Sequence, residues 1–208
     1  MDQGVSARPS ARHRAGAGDS GPAGNERLTA MTGAILLAGF AVEGLTVLEI
    51  HRLLWLHFVV GLALIGPVML KLGSTLFRFA RYYAGSAPYV RRGPPAPLLR
   101  VLGPLVILSS VAVLGTGVIL ALAGPGSGPW LALHKLSFIG WFGVMTVHVA
   151  AYAPRLPRLL TGRAGPGGTA QAVPGGGLRW LALATAIAAG IGVAAVGMHL
   201  SASWTFRF

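Results

Sequence analysis

The stretch Trp130–Tyr152, WLALHKLSFIGWFGVMTVHVAAY, is long enough and apolar enough to cross a bilayer as a helix. It contains two histidines, His134 and His148, which are fourteen residues apart. Fourteen residues are close to four helical turns, so both imidazoles face the same side, about 21 Å apart along the axis. Because a histidine inside a membrane span is costly, we expect these two side chains to have a function.

The composition of the whole chain indicates a membrane protein. Of its 208 residues, 53% are hydrophobic and 11% are charged, and the mean hydropathy is +0.65. A soluble domain carries about 25% charged residues, so this chain has less than half the usual fraction. The basic residues behind the net charge of +12 lie between apolar segments rather than along one face. This distribution favours a lipid bilayer over nucleic acid as the partner.

The chain contains no cysteine. This excludes disulfides, iron–sulfur clusters, thiolate-bound haem, c-type haem attachment and cysteine-based zinc sites. A redox metal bound to this chain would therefore be held by histidine, methionine, lysine or carboxylate side chains.

Apolar segments of about 20 residues predict an all-α membrane protein with five transmembrane helices. The predicted spans are residues 28–50, 53–77, 101–123, 130–152 and 178–200. The first four form a predicted bundle over residues 28–160, and the fifth is an extra helix. Three polar or glycine-rich segments are expected outside the membrane. They are a disordered tail over 1–27, a flexible linker over 161–177 and a short tail over 201–208.

The distribution of arginine predicts the orientation. With five spans, most basic residues fall on one side, in the first tail and in segments 78–100 and 155–163. The amino terminus is therefore expected in the cytoplasm and the carboxyl terminus outside the cell membrane. The second and fourth spans then run in the same direction. Their outer ends carry His57 and His134 at similar depth.

His57 and His134 form a candidate pair of opposing metal ligands. A b-type haem needs two imidazoles on facing helices at matched depth, with room for a flat macrocycle. Gly61, one turn after His57, would let a porphyrin lie against that helix, and Lys135 could meet a haem propionate. Alternatively, the two histidines are interfacial polar residues that hydrogen-bond to loops.

The inner half of the same spans carries a second candidate site. Fourteen residues after His57, where a histidine would face His148, the chain has Lys71. Lys71 could bind iron as a neutral amine, pair with a propionate, or extend its ammonium to the cytoplasmic interface. His148 is thus a candidate ligand of a second haem. Trp141, seven residues from each histidine of its span, could fill the space between two cofactors or serve as ordinary core.

Two further features have simpler interpretations. Glu43 in the first span could form an interfacial ion pair or carry protons for a quinone site. In the fifth span, small residues recur every four positions at Ala186, Gly190 and Ala194, which predicts a helix-packing stripe.

The second to fourth spans resemble the small four-helix membrane cytochromes b. The likeness covers LHFVVG around His57 and LHKLSF and MTVHV around His134 and His148. These families include the cytochrome b561-like proteins. They also include the membrane anchors of hydrogenase, molybdopterin oxidoreductase and formate dehydrogenase complexes, the last of these being the gamma subunit. The resemblance implies paired histidines that hold haem b and electron transfer between a quinone and a partner redox subunit. Lys71 departs from the four-histidine set of these families.

Two other segments, KLGSTLFRFARYY and YVRRGPPAPLLR, look like those of uncharacterised actinobacterial membrane proteins, a likeness that implies no activity. The expectation is thus an integral membrane b-type cytochrome, which acts as an electron-transfer subunit rather than as a self-contained enzyme. The alternative is a cofactor-free membrane anchor or scaffold subunit with structural histidines.

Overall fold

The computed structural model describes residues 21–93, 97–161 and 173–205. In these residues the regular secondary structure is entirely helical, and five helices are long and apolar enough to span a membrane. The prediction of an all-α membrane protein with five spans is confirmed. Residues 1–20 of the expected tail, 162–172 of the expected linker and 206–208 lie outside the described residues.

Eight α-helices follow one another along the described chain. The five long helices are α1 (Gly21–Leu48), α2 (Ile50–Tyr83), α4 (Pro97–Ala123), α5 (Gly128–Tyr152) and α7 (Gly176–Gly197). The three short helices are α3 (Ala87–Arg91), α6 (Leu156–Thr161) and α8 (Ala202–Thr205). Short 3-10 segments, Ala153–Arg155 and Met198–Ser201, extend the chain beyond α5 and α7.

The first helix begins earlier than expected, because residues 21–27, assigned to the disordered tail, form its first two turns. Polar side chains hold these turns. Asn25 donates a hydrogen bond to the carbonyl of Ser74 on α2 at 3.0 Å, and Arg27 donates one to the carbonyl of Leu160 on α6 at 3.1 Å. The helix is therefore stabilised here by polar contacts with neighbouring helices, which a search for apolar segments does not detect.

Helix α2 is the centre of a three-helix unit, with α1 and α7 packed against it. The backbones of α2 and α7 approach so closely at Gly66 and Gly190 that a Cβ at either glycine would collide with a carbonyl of the other helix. Gly190 and Ala194 are buried in this contact. The helix-packing stripe predicted for the fifth span is confirmed, since only small residues permit such an approach.

Helices α4 and α5 form a separate antiparallel hairpin. Leu114 of α4 packs against the core formed by Leu36, Leu64 and Val68 on α1 and α2, which joins the hairpin to the three-helix unit. Among the described residues, α5 packs mainly against α4, and close backbone contacts between α2 and α5 are few. The faces of α2 and α5 that carry the histidines are therefore not packed tightly against each other.

Candidate functional site

His57 of α2 and His134 of α5 come together in the fold, as the matched depths of their spans predicted. Their ring centroids are 6.4 Å apart, and the ring planes meet at 71°. Both side chains are partly buried. The pair lies between the three-helix unit and the α4–α5 hairpin, at the end of the bundle where α1 meets α2.

The His57 ring is oriented by two side chains of α1. Its Nδ1 lies 3.0 Å from Thr46 Oγ1 and 3.0 Å from Glu43 Oε1. The Thr46 hydroxyl donates its own proton to the carbonyl of Glu43 at 2.6 Å, so its oxygen is left to accept. A carboxylate can only accept. We therefore assign the proton of His57 to Nδ1, which leaves the lone pair on Nε2, where a metal can bind.

The His134 ring is oriented by α4. Its Nδ1 lies 3.2 Å from Thr116 Oγ1. The Thr116 hydroxyl donates to the carbonyl of Ala112 at 2.7 Å, so its oxygen accepts from the imidazole. The proton of His134 is assigned to Nδ1 as well. In each ring, Nδ1 faces the helix that orients it, α1 for His57 and α4 for His134. Nε2 is therefore the ring nitrogen on the other side.

Gly117 gives the His134 ring its place against α4. A Cβ at this position would lie 3.0 Å from Cε1 of His134, closer than side chains normally tolerate. Gly117, Thr116 and Thr46 are site residues that sequence reasoning missed. The sequence signal available for two of them is the pair Thr116–Gly117 inside an apolar span.

Gly61 has a different neighbour from the one expected. A Cβ at Gly61 would lie 3.0 Å from Oε1 of Glu43, so the missing side chain makes room for this carboxylate. Contact between Gly61 and a porphyrin stays a prediction. Glu43 Oε1 lies 3.0 Å from Nδ1 of His57.

Trp141 lies between the two histidine levels of α5, as predicted. It is buried, its Nε1 donates to Ser110 Oγ on α4 at 3.2 Å, and its ring centroid is 4.7 Å from that of Phe40 on α1. Seven residues correspond to about 10 Å of helix, so this aromatic pair closes the space between α1 and α5 below the His57–His134 level.

Lys71 and His148 lie toward the carboxyl-terminal ends of α2 and α5. Lys71 Nζ donates to the carbonyl of Thr29 on α1 at 2.6 Å, so the amine is directed at a backbone inside the bundle. His148 stacks on Tyr152 with ring centroids 4.7 Å apart, and its Nδ1 is buried without a hydrogen-bond partner in the described part of the chain. Lys71 is close enough to His148 for the two groups to interact electrostatically.

Lys135 follows His134 and has an exposed side chain. Its expected contact with a haem propionate stays a prediction. Comparisons of the chain with protein-family models, curated proteins and solved structures found no match. The function therefore has to be inferred from the geometry of the site.

Proposed function

We propose that this chain is a membrane b-type cytochrome in which His57 and His134 bind one haem b through their Nε2 atoms. The supporting observation is the geometry of the pair, with centroids 6.4 Å apart and both Nδ1 atoms hydrogen-bonded to hydroxyls of neighbouring helices. Metal–imidazole bonds are about 2 Å long, so two rings on opposite sides of one metal have centroids about 6 Å apart. Rotation of either ring about its metal–nitrogen bond leaves this distance unchanged.

The number of protein ligands favours haem over a bare metal ion. A structural zinc site takes four protein ligands, and calcium takes six to eight oxygens. Among the described residues, no group of three or more His, Cys, Asp or Glu side chains could hold a metal ion. A metal held by two histidines alone would take its other donors from water or a cofactor, and a porphyrin supplies four in one plane.

The surroundings of the pair are compatible with a flat cofactor. Helices α2 and α5 make few close contacts, and the Phe40–Trp141 pair bounds the space on the inner side. When bound, haem supplies a one-electron redox centre. The chain holds the two imidazoles in one tautomer and orientation, and its apolar helices keep bulk water from the site.

The cytochrome interpretation also proposes a location and partners. The chain would lie in the cell membrane with its amino terminus in the cytoplasm, because the arginines after α2 and after α5 face the same side. It would exchange electrons with a quinone and with a partner redox subunit, such as a molybdopterin oxidoreductase. His148 is kept as a candidate ligand of a second haem, since its buried Nδ1 lacks a partner in the described residues.

The proposal is tested by the visible spectrum of protein purified from haem-replete cells. We expect a Soret band that sharpens on dithionite reduction, and its loss to the same extent in His57→Ala and His134→Ala. His199→Ala is the control, because His199 is an exposed histidine outside the pair. A colourless wild-type preparation would support the alternative, a cofactor-free anchor or scaffold.

A further inference from the structure

The two histidines of the pair have unequal hydrogen-bond partners. His134 is hydrogen-bonded to a neutral hydroxyl, whereas His57 contacts a hydroxyl and the Glu43 carboxylate. The Glu43 side chain is only 17% exposed, and its second oxygen, Oε2, is buried without a hydrogen-bond partner in the described chain. An incompletely satisfied carboxylate inside a membrane span is costly, which indicates a function for it.

Several contacts hold Glu43 against His57. The Thr46 hydroxyl donates to the Glu43 carbonyl at 2.6 Å, within the helical turn that carries the carboxylate. Gly61 has no side chain and leaves space for Oε1 of Glu43. Among the described residues, the Glu43 carboxylate contacts His57, and no salt bridge joins it to an arginine or a lysine. The negative charge is therefore directed at one imidazole.

We propose that Glu43 is a positioning residue that lowers the reduction potential of the haem iron through His57. The inference rests on the proposed function. A carboxylate that accepts from Nδ1–H makes the imidazole a more basic ligand, and its negative charge favours the oxidised iron, which carries one more positive charge. Both effects act in the same direction. Since no salt bridge joins His134 to a carboxylate in the described part of the chain, the two histidines would be electronically unequal ligands.

The test is a redox titration of the purified membrane protein at one fixed pH and ionic strength. Glu43→Gln keeps the size of the side chain and an oxygen that can accept from Nδ1–H, but it removes the charge. We expect at least a tenfold shift of the equilibrium toward the reduced form, which corresponds to about 59 mV for a one-electron couple. Thr116→Val, which removes the neutral partner of His134, is the matched control and should shift the potential less.

A second variant guards against a Glu43→Gln protein that does not fold. Gly61→Ala adds a Cβ that would lie 3.0 Å from Oε1 and thereby displaces the carboxylate from His57 without changing Glu43 itself. Its potential should rise as well. The low-spin ferric signals in electron paramagnetic resonance (EPR) should shift in both variants, because the ligand field of His57 changes.

The outcomes separate this inference from the proposed function. A wild-type protein without haem contradicts the proposed function itself. If both variants bind haem and their equilibrium constants of reduction stay within twofold of the wild-type value, the proposed role of Glu43 is overturned. The cytochrome proposal itself then stands. If only Glu43→Gln lacks haem, the reduction potential of Gly61→Ala decides on the role of Glu43 by the same criterion. Loss of haem from both variants also overturns a tuning role, because Glu43 would then be required for binding.

Discussion

Replacing Thr46 by valine tests the hydrogen-bonded support of the histidine pair. Thr46 is 1% exposed, and its hydroxyl both donates to the Glu43 carbonyl and accepts from Nδ1 of His57. Valine has nearly the same shape but no hydroxyl. The same substitution at Thr32 is a matched control, because Thr32 is 0% exposed on the same helix and its hydroxyl bonds only its own helix, at the Leu28 carbonyl.

The expected magnitude follows from the contacts that each variant loses. Both variants lose one hydroxyl-to-carbonyl bond within α1, so their losses of folding stability should be similar, at about 1 kcal/mol. Only Thr46→Val also loses a partner of an imidazole proposed as a haem ligand, and loss of such a partner typically lowers metal affinity by about 10- to 100-fold. Glu43 remains as an acceptor for His57, so we expect the lower end of this range. A tenfold loss is about 1.4 kcal/mol.

The assay is a titration of haem into purified apoprotein, followed at the Soret band, with thermal unfolding of the same samples as the stability measurement. Haem affinity should fall about tenfold in Thr46→Val and by less than twofold in Thr32→Val. Equal haem affinities in the two variants, at equal stability, would refute the assignment of Thr46 as a support of His57.

Three further variants extend the test to the rest of the bundle. Gly190→Ala should destabilise the fold by about 1–3 kcal/mol in a denaturant titration, because its Cβ meets the α2 backbone, whereas Gly192→Ala, with nothing within 4 Å, should not. A denaturation midpoint unchanged by Gly190→Ala would contradict the α2–α7 contact. Gly117→Ala should lower haem occupancy, because the added Cβ would push the His134 ring away from α4. Gly115→Ala, which has open space at its Cβ, should leave the occupancy unchanged. Equal occupancy in the two variants would refute the role of Gly117. His148→Ala should leave the Soret band of the outer haem unchanged, because it lies about 21 Å further along α5; loss of that band would place the haem elsewhere.

The sequence predicted the number of spans because the length and apolarity of a segment decide whether it crosses a bilayer. It also predicted that His57 and His134 meet. Two constraints were sufficient for this: the alternation of successive spans, which makes the second and fourth run in the same direction, and the similar distance of each histidine from the amino-terminal end of its helix. The position of a side chain along its span is thus readable from sequence.

The supports of the pair were not predictable in the same way. Thr46 and Thr116 are threonines in apolar spans, where a hydroxyl usually bonds its own helix. Each does so here, and its oxygen also accepts from a histidine of the next helix. Which face of one helix meets which face of the next depends on packing across the bundle, and no periodicity within one span reveals it.

Gly61 and Lys71 illustrate the same limit. The sequence indicated that a small residue follows His57 by one turn, but it did not reveal that the space belongs to Glu43 of α1. Lys71 was placed opposite His148 by its spacing, yet its amine bonds the Thr29 carbonyl on α1. A long flexible side chain can reach several partners from one backbone position, so position alone does not select among them.

The most direct test of the histidine pair as haem ligands is the EPR of the oxidised, haem-loaded protein, with the imidazole nitrogens labelled with ¹⁵N. Two axial imidazoles at one iron predict a low-spin ferric centre with hyperfine coupling to two labelled histidine nitrogens. Replacing either His57 or His134 should convert this centre to one with a single histidine or none. A high-spin centre in the wild-type protein, or a low-spin signal that survives both replacements, would contradict the account.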